Sequence, residues 1–110
     1  MKLLKAIIRP NKVDDVKDAL AKLNLSGITV TEVRGHGKQK GHTAVYRGKE
    51  YNVSLLPKMQ VEVVVADSVA DDAIRAIVEA ARTGEIGDGR VFVLPVEQSY
   101  RIRTGERDLT

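Results

Sequence analysis

Residues 59–96 read MQVEVVVADSVADDAIRAIVEAARTGEIGDGRVFVLPV. MQVEVVVA is rich in valine and alternates at its start, which predicts a strand over 59–66. Ser68 follows, with Asp71 at capping-box spacing, so a helix is expected to be capped there. Ala70, Ile74, Ile77, Val78 and Ala81 recur at helical spacing and give it one apolar stripe. Arg82 suits its last turn and Gly84 its C-terminal stop. VFVLPV predicts a further strand over 91–96, with Pro95 marking an edge or an end.

The first half of the chain repeats that pattern. KLLKAIIR (2–9) reads as a strand closed by Pro10. Asn11 is the expected N-cap of a helix over 12–24, with Asp14 and Asp15 suited to the positive end of its dipole. Val13, Val16, Leu20 and Leu23 supply its apolar face, Ser26-Gly27 ends the unit, and ITVTEV (28–33) reads as a strand. Two strand–helix–strand halves in one 110-residue domain predict an α+β, ferredoxin-like βαββαβ fold. Its antiparallel four-stranded sheet would carry both helices on one face. Yet Val61, Val63 and Val65 alternate with Val64, and Val91 and Val93 with Phe92 and Leu94, so both faces are apolar. Burying each such side chain is worth about 1.5–3 kcal/mol. Self-association through the bare face into a closed symmetric oligomer is the expected remedy, the alternative being a loop or tail folded over it.

Composition removes several function classes. There is no cysteine, hence no disulfide and no thiolate metal site. The two histidines, His36 and His42, have no carboxylates close by in sequence and read as solvated loop residues. The opening MKLLKAIIRPNK is basic and apolar but broken by Lys5, and nothing approaches the roughly 20 apolar residues of a membrane span. A cytoplasmic protein is expected. Net charge is only +3, but Arg34, Lys38, Lys40, Arg47, Lys49 and Lys58 face one acid, Glu50, between residues 34 and 58. That segment alone carries +5, which suits an anionic partner or simply a solvated loop.

Three stretches could bind a ligand. TGEIGDGRVF (83–92) sets Gly84, Gly87 and Gly89 between a helix end and a strand, as in a backbone anion nest, with Arg90 beside them. Neither GxGxxG nor the P-loop pattern is present. RIR (101–103) puts Arg101 and Arg103 on one side if extended, a fork suited to a polyphosphate, although a solvated C-terminal tail is the commoner meaning of an isolated RxR. The excursion 36–57 runs about 22 residues, past the roughly 12–15 at which unstructured loops become unusual. Its base holds Gly35, Gly37 and Gly41, with Lys38 and Lys40 for anions and Gln39 as one oxygen ligand for Mg²⁺. Tyr46 and Tyr51 lie in polar surroundings, where one packs against the body, the usual fate of tyrosine, or stays exposed and open to modification. No Ser–His–acid set is apparent, so the chain reads as a binder and not an enzyme.

Taken in order, these motifs resemble the PII nitrogen-regulatory signal-transduction family over essentially all 110 residues. TGEIGDGRVFVLPV (83–96) is similar to its C-terminal signature, with 83–90 as the B-loop. YRGKEY (46–51) is similar to the modification motif of its long T-loop, here 36–57. VTEVRG, KGHT and RIRTGE, the last within a C-terminal segment 97–110, are similar to family stretches as well.

The resemblance implies a homotrimer that binds ATP or ADP between subunits and, with Mg-ATP, 2-oxoglutarate. It also implies control of an ammonium transporter or a nitrogen-metabolism enzyme through the T-loop, with recruitment to the inner membrane face through a transporter and no direct nucleic-acid partner. Carried onto this chain, nucleotide contacts fall on Thr29, Gly35, Gly37, Lys38, Val64, Gly87, Asp88, Gly89 and Arg90, with Arg101 and Arg103 from a neighbouring subunit. Gln39 matches the Mg²⁺ ligand. Gln39, Lys40, Gly41 and Lys58 match the 2-oxoglutarate cradle, Tyr51 the nucleotidylylated tyrosine, and Arg47 the tip that enters a transporter. Lys38 and Arg90 exchange the basic types frequent at their positions. His36 stands where phenylalanine is frequent and brings pH sensitivity, and Lys49 adds a charge two residues before Tyr51. On this basis Arg101→Ala and Gly89→Val are expected to weaken ATP binding with the trimer intact.

Two other functions share the fold. An RNA-recognition module stacks bases on sheet aromatics, and strands 2–9 and 59–66 contain none. An acylphosphatase-like hydrolase needs a water-positioning amide near the first strand, for which Asn11 is the candidate.

Overall fold

Leu4, Ala6 and Ile8 alternate with Leu3, Lys5 and Ile7, and only the first set is fully buried. That two-residue period is what a strand with one covered face requires. In the computed structural model, which describes residues 1–36, 43–46, 49–52 and 55–108, with 43–46 and 49–52 given by backbone pairing, this strand is β1, Lys2–Ile8. It lies at the centre of the sheet. β5 (Leu56–Val65) pairs antiparallel on one side and β6 (Gly89–Pro95) on the other, with Leu4 opposite both Val63 and Val93. β2 (Thr29–Gly35) pairs antiparallel with β5, giving the order β2-β5-β1-β6. The α+β, ferredoxin-like arrangement is thus the observed one.

α1 (Val13–Ala21) and α2 (Asp67–Ala81) cover a single face. Val16 and Leu20 of α1 and Ala70, Ala73, Ile77 and Ala81 of α2 are buried against Leu4, Ala6, Ile8, Val61, Val63 and Val65. The alanines let α2 approach the valine-rich sheet closely.

Both expected helix caps are corrected. Pro10 opens a 3₁₀ turn, Pro10–Lys12, that runs straight into α1, so Lys12 is already near-helical and Asn11 caps nothing. α2 begins at Asp67 after an extended Ala66, which leaves Ser68 inside the first turn with no capping bond. At the other ends, Asn24 adopts φ 60° and closes α1: its amide bonds Ala21 O and that of Leu25 bonds Leu20 O. Arg82 is already extended, at φ −71° and ψ 133°, so it lies beyond the last turn of α2.

The middle excursion is not wholly irregular. β3 (Thr43–Tyr46) and β4 (Lys49–Asn52) form a two-stranded antiparallel sheet with Thr43 opposite Asn52 and Tyr46 opposite Lys49. TAVY carries β-formers two residues from the next run, a hairpin signal that the surrounding glycines and lysines obscured.

β6 is an outer strand and Pro95 its last residue, so both meanings of that proline hold. The helices leave this edge thinly covered: Val93, on their side, is 47% exposed. On the opposite face Val64, Leu3 and Leu94 form an apolar row across three strands, with Val64 45% and Leu94 38% exposed. The next row, Glu62, Lys5 and Phe92, is mixed.

Candidate functional site

The antiparallel register brings four strand ends to one edge. Ile8 lies opposite both Met59 and Gly89, and Gly35 opposite Leu56. The segment 82–88 between α2 and β6 closes over that edge. Gly84, Gly87 and Gly89 take φ of 90°, 102° and 105°, the left-handed conformations that glycine adopts freely.

Asp88 organises this loop. Its carboxylate accepts from the Thr83 amide at 2.8 Å, the Gly84 amide at 2.8 Å, the Thr83 hydroxyl at 2.5 Å and Arg9 Nε at 3.1 Å. The Thr83 hydroxyl foremost, with those amides and Arg9, holds the Asp88 carboxyl well below the usual carboxylate range. Arg9 Nη2 also donates to Ile86 O at 3.0 Å, and Lys58 Nζ to Gly87 O at 2.6 Å. Burial lowers the Lys58 pKa, Arg9 acts the same way, and Asp88 opposes them. The expected anion nest is therefore corrected in part: two of its amides are already satisfied by the chain's own carboxylate.

What remains is a cleft of about 650 Å³ lined by Ile7, Gly35, His36, Lys58, Glu85, Ile86, Gly87, Asp88, Gly89, Arg90 and Phe92. That volume suits a small-molecule ligand. The apolar Ile7, Ile86 and Phe92 offer contact area, and Lys58 and Arg90 offer charge to an anion. Across β6, on the helix side, a second cavity of about 440 Å³ is lined chiefly by Ile8, Ile77, Val78, Ala81 and Val91.

Of the residues singled out in the sequence, Gly35, Lys58, Gly87, Asp88, Gly89 and Arg90 meet in the first cleft. Thr29 and Val64 do not. Thr29 opens β2 six residues before Gly35, and Val64 lies six residues after Lys58. Each sits about 20 Å along its strand from the cleft residue of that strand, Gly35 or Lys58.

Arg101 and Arg103 are not on an extended segment, and that expectation is corrected. Tyr100 bridges to Arg107, the Arg101 amide donates to Glu106 O at 2.8 Å, and Gly105, at φ 74°, closes the turn with a 2.7 Å bond to Arg101 O. Arg101 Nε binds Asp108 at 3.0 Å and Ser99 Oγ binds its other oxygen at 2.9 Å. The Arg101 bond first, then Ser99, lowers the Asp108 pKa. Gly37, Lys38, Gln39, Lys40, Gly41 and Arg47 lie outside the described residues, and Tyr51 is described only as a backbone position in β4.

Arg9 and the lining residues Ile7, Glu85, Ile86 and Phe92 were missed from the sequence. Arg9 directly follows β1, so the pairing of Ile8 with Gly89 would have placed it beside the glycine loop once the strand order was known. Among the described residues no group of three or more His, Asp or Glu forms a metal site, and no helix is long and apolar enough to cross a membrane.

Relatives carry the same chain almost end to end. A family model described as Nitrogen regulatory protein P-II matches residues 1–106. The "Nitrogen regulatory protein P-II" of Azospirillum brasilense is 58% identical over 107 residues, covering 97% of this chain and 96% of its own. The protein of the same name from Haemophilus influenzae is 56% identical over 108 residues, covering 98% and 96%. "Nitrogen regulatory protein P-II 1" of Escherichia coli K12 is 54% identical over 108 residues, with the same coverage. Fold, glycine-loop cleft and relatives together place this chain in the P-II nitrogen regulatory protein family.

Proposed function

We propose that this chain senses adenine nucleotide and 2-oxoglutarate and passes that information to a partner through residues 36–57. One observation carries the reading: Gly87, Asp88, Gly89 and Arg90 share a cleft with Lys58 and Gly35. A phosphate chain there meets Arg90 and the glycine backbone, while the Lys58 ammonium, in contact with the same loop, suits a carboxylate. ATP and ADP are the nucleotides. Mg²⁺ would be held by Gln39 and would offer positive charge to the phosphates and to 2-oxoglutarate, with Lys40 and Gly41 completing the cradle.

A homotrimer accounts for the residues the single chain keeps apart. Thr29 and Val64 stand about 20 Å along their strands from Gly35 and Lys58, and neither lines the cleft of its own chain. A neighbour that brings its own Thr29, Arg101 and Arg103 to the cleft completes it, and the apolar row of Leu3, Val64 and Leu94 supports such contact. The partner is an ammonium transporter or an enzyme of nitrogen metabolism. Arg47 is assigned to the contact and Tyr51 to modification. The protein regulates instead of catalysing, in the cytoplasm and at the inner membrane face when bound to a transporter.

Isothermal titration tests this directly. Saturable ATP and ADP binding is expected, weakened at least tenfold by Arg90→Ala, with 2-oxoglutarate binding only once Mg-ATP is present. Equal 2-oxoglutarate affinity with and without nucleotide would refute the shared-ion account.

A further inference from the structure

His36 follows directly on β2, is exposed, and lines the same cleft as Lys58, Arg90 and the glycine loop. Among the described residues the charged groups around that cleft are Lys58 from β5, Arg90 from β6, and Glu85 and Asp88 from the loop. Arg9, at the end of β1, acts on it through Asp88. Arg9 and Asp88 form an ion pair, which leaves Lys58 and Arg90 against Glu85, a net charge of one from a single chain before any neighbour's Arg101 and Arg103 are added. A protonated imidazole makes that two. Histidine is the side chain whose ordinary charge change falls between pH 5 and 8. A ligand with several negative charges binds the more positive cleft more tightly, and by linkage its binding draws a proton onto the ring.

We propose that His36 faces the polyphosphate and makes nucleotide binding proton-linked in this protein. The proposal rests on the nucleotide-binding reading and adds a condition to it: the same nucleotide concentration fills more clefts as pH falls through the histidine range. The sign follows from which form binds better. An exposed charge contact of this kind is worth about a three- to fivefold change in affinity.

The terminal phosphate of the nucleotide also titrates near pH 6 and works in the opposite sense, so wild type alone does not isolate the effect. The experiment is ATP titration calorimetry from pH 5.5 to 8.5 on wild type, His36→Gln and His36→Arg, each in two buffers of different ionisation enthalpy. The ratio of the His36→Gln to the wild-type Kd is expected to be near one at pH 8.5 and to climb three- to fivefold at pH 5.5. Wild type is expected to take up an extra fraction of a proton on binding, and both variants to lack it. His36→Arg, with its fixed charge, is expected to hold the low-pH wild-type advantage at every pH. Identical pH profiles and proton uptake in wild type and His36→Gln overturn the proposal while nucleotide binding stands. Absence of ATP binding in all three proteins at every pH overturns the nucleotide reading and this proposal together.

Discussion

Gly89 combines φ 105° with a backbone approach that no other residue tolerates, because a Cβ there would fall onto the carbonyl of Ile7. Gly89 also opens β6 opposite Ile8, so the clash strikes the β1–β6 pairing itself. Gly89→Ala is therefore expected to destabilise the fold by about 2–4 kcal/mol. Thermal unfolding should show a Tm lower by on the order of 10–20 °C. An unchanged Tm would mean that the close approach is not rigid. This revises the expectation that Gly89→Val separates ligand binding from structure: the position serves the fold first. At this scale the sequence was half legible. Glycines between a helix and a strand signal positive φ, and all three of them have it, but which would be blocked by backbone depends on Ile7, 82 residues away in sequence. Arg9 was hidden for the same reason, since its partners Asp88 and Ile86 are its neighbours only once β1 and β6 pair.

The loop from 83 to 88 is an element held mainly by one side chain. Asp88 gathers two amides, a hydroxyl and a guanidinium, so Asp88→Ala is expected to cost about 1–3 kcal/mol at pH 7. The pH dependence follows from the direction of the shift. A carboxyl whose pKa is lowered on folding stabilises above its unfolded value, about 3.9, and that contribution is lost as pH falls further. Urea unfolding midpoints of wild type and Asp88→Ala should thus be well separated from pH 5 to 8 and converge toward pH 2. A constant separation would show that Asp88 acts through shape and not charge. Helices and strands were readable because their apolar periods are long and regular. Their starts were not: Asn11 and Ser68 have the right chemistry for capping, but Pro10 and the exit from β5 had already set the backbone. The β3–β4 hairpin was overlooked because glycine and lysine around it argued for loop more strongly than four residues argued for strand.

Across the whole molecule the two sheet faces differ. One is closed by α1 and α2, while the other keeps Val64, Phe92 and Leu94 between 38% and 46% exposed. That imbalance was visible in the sequence as apolar residues on both sides of β5 and β6, whereas the distance of Thr29 and Val64 from Gly35 and Lys58 required the register. If the trimer forms through this face, light scattering should give three times the chain's mass for wild type. Leu94→Glu should shift the population toward single chains, with the helical circular-dichroism signal kept. A wild-type protein that runs as a single chain would remove the proposed assembly. On β1, Leu3, Lys5 and Ile7 take one face while Leu4, Ala6 and Ile8 are sealed on the other. Outward-facing positions that can meet a ligand and sealed positions that hold the core are therefore interleaved along one strand. A substitution at every second residue of β1 would thus alter what the strand presents outward while leaving the buried set that keeps the chain folded in place.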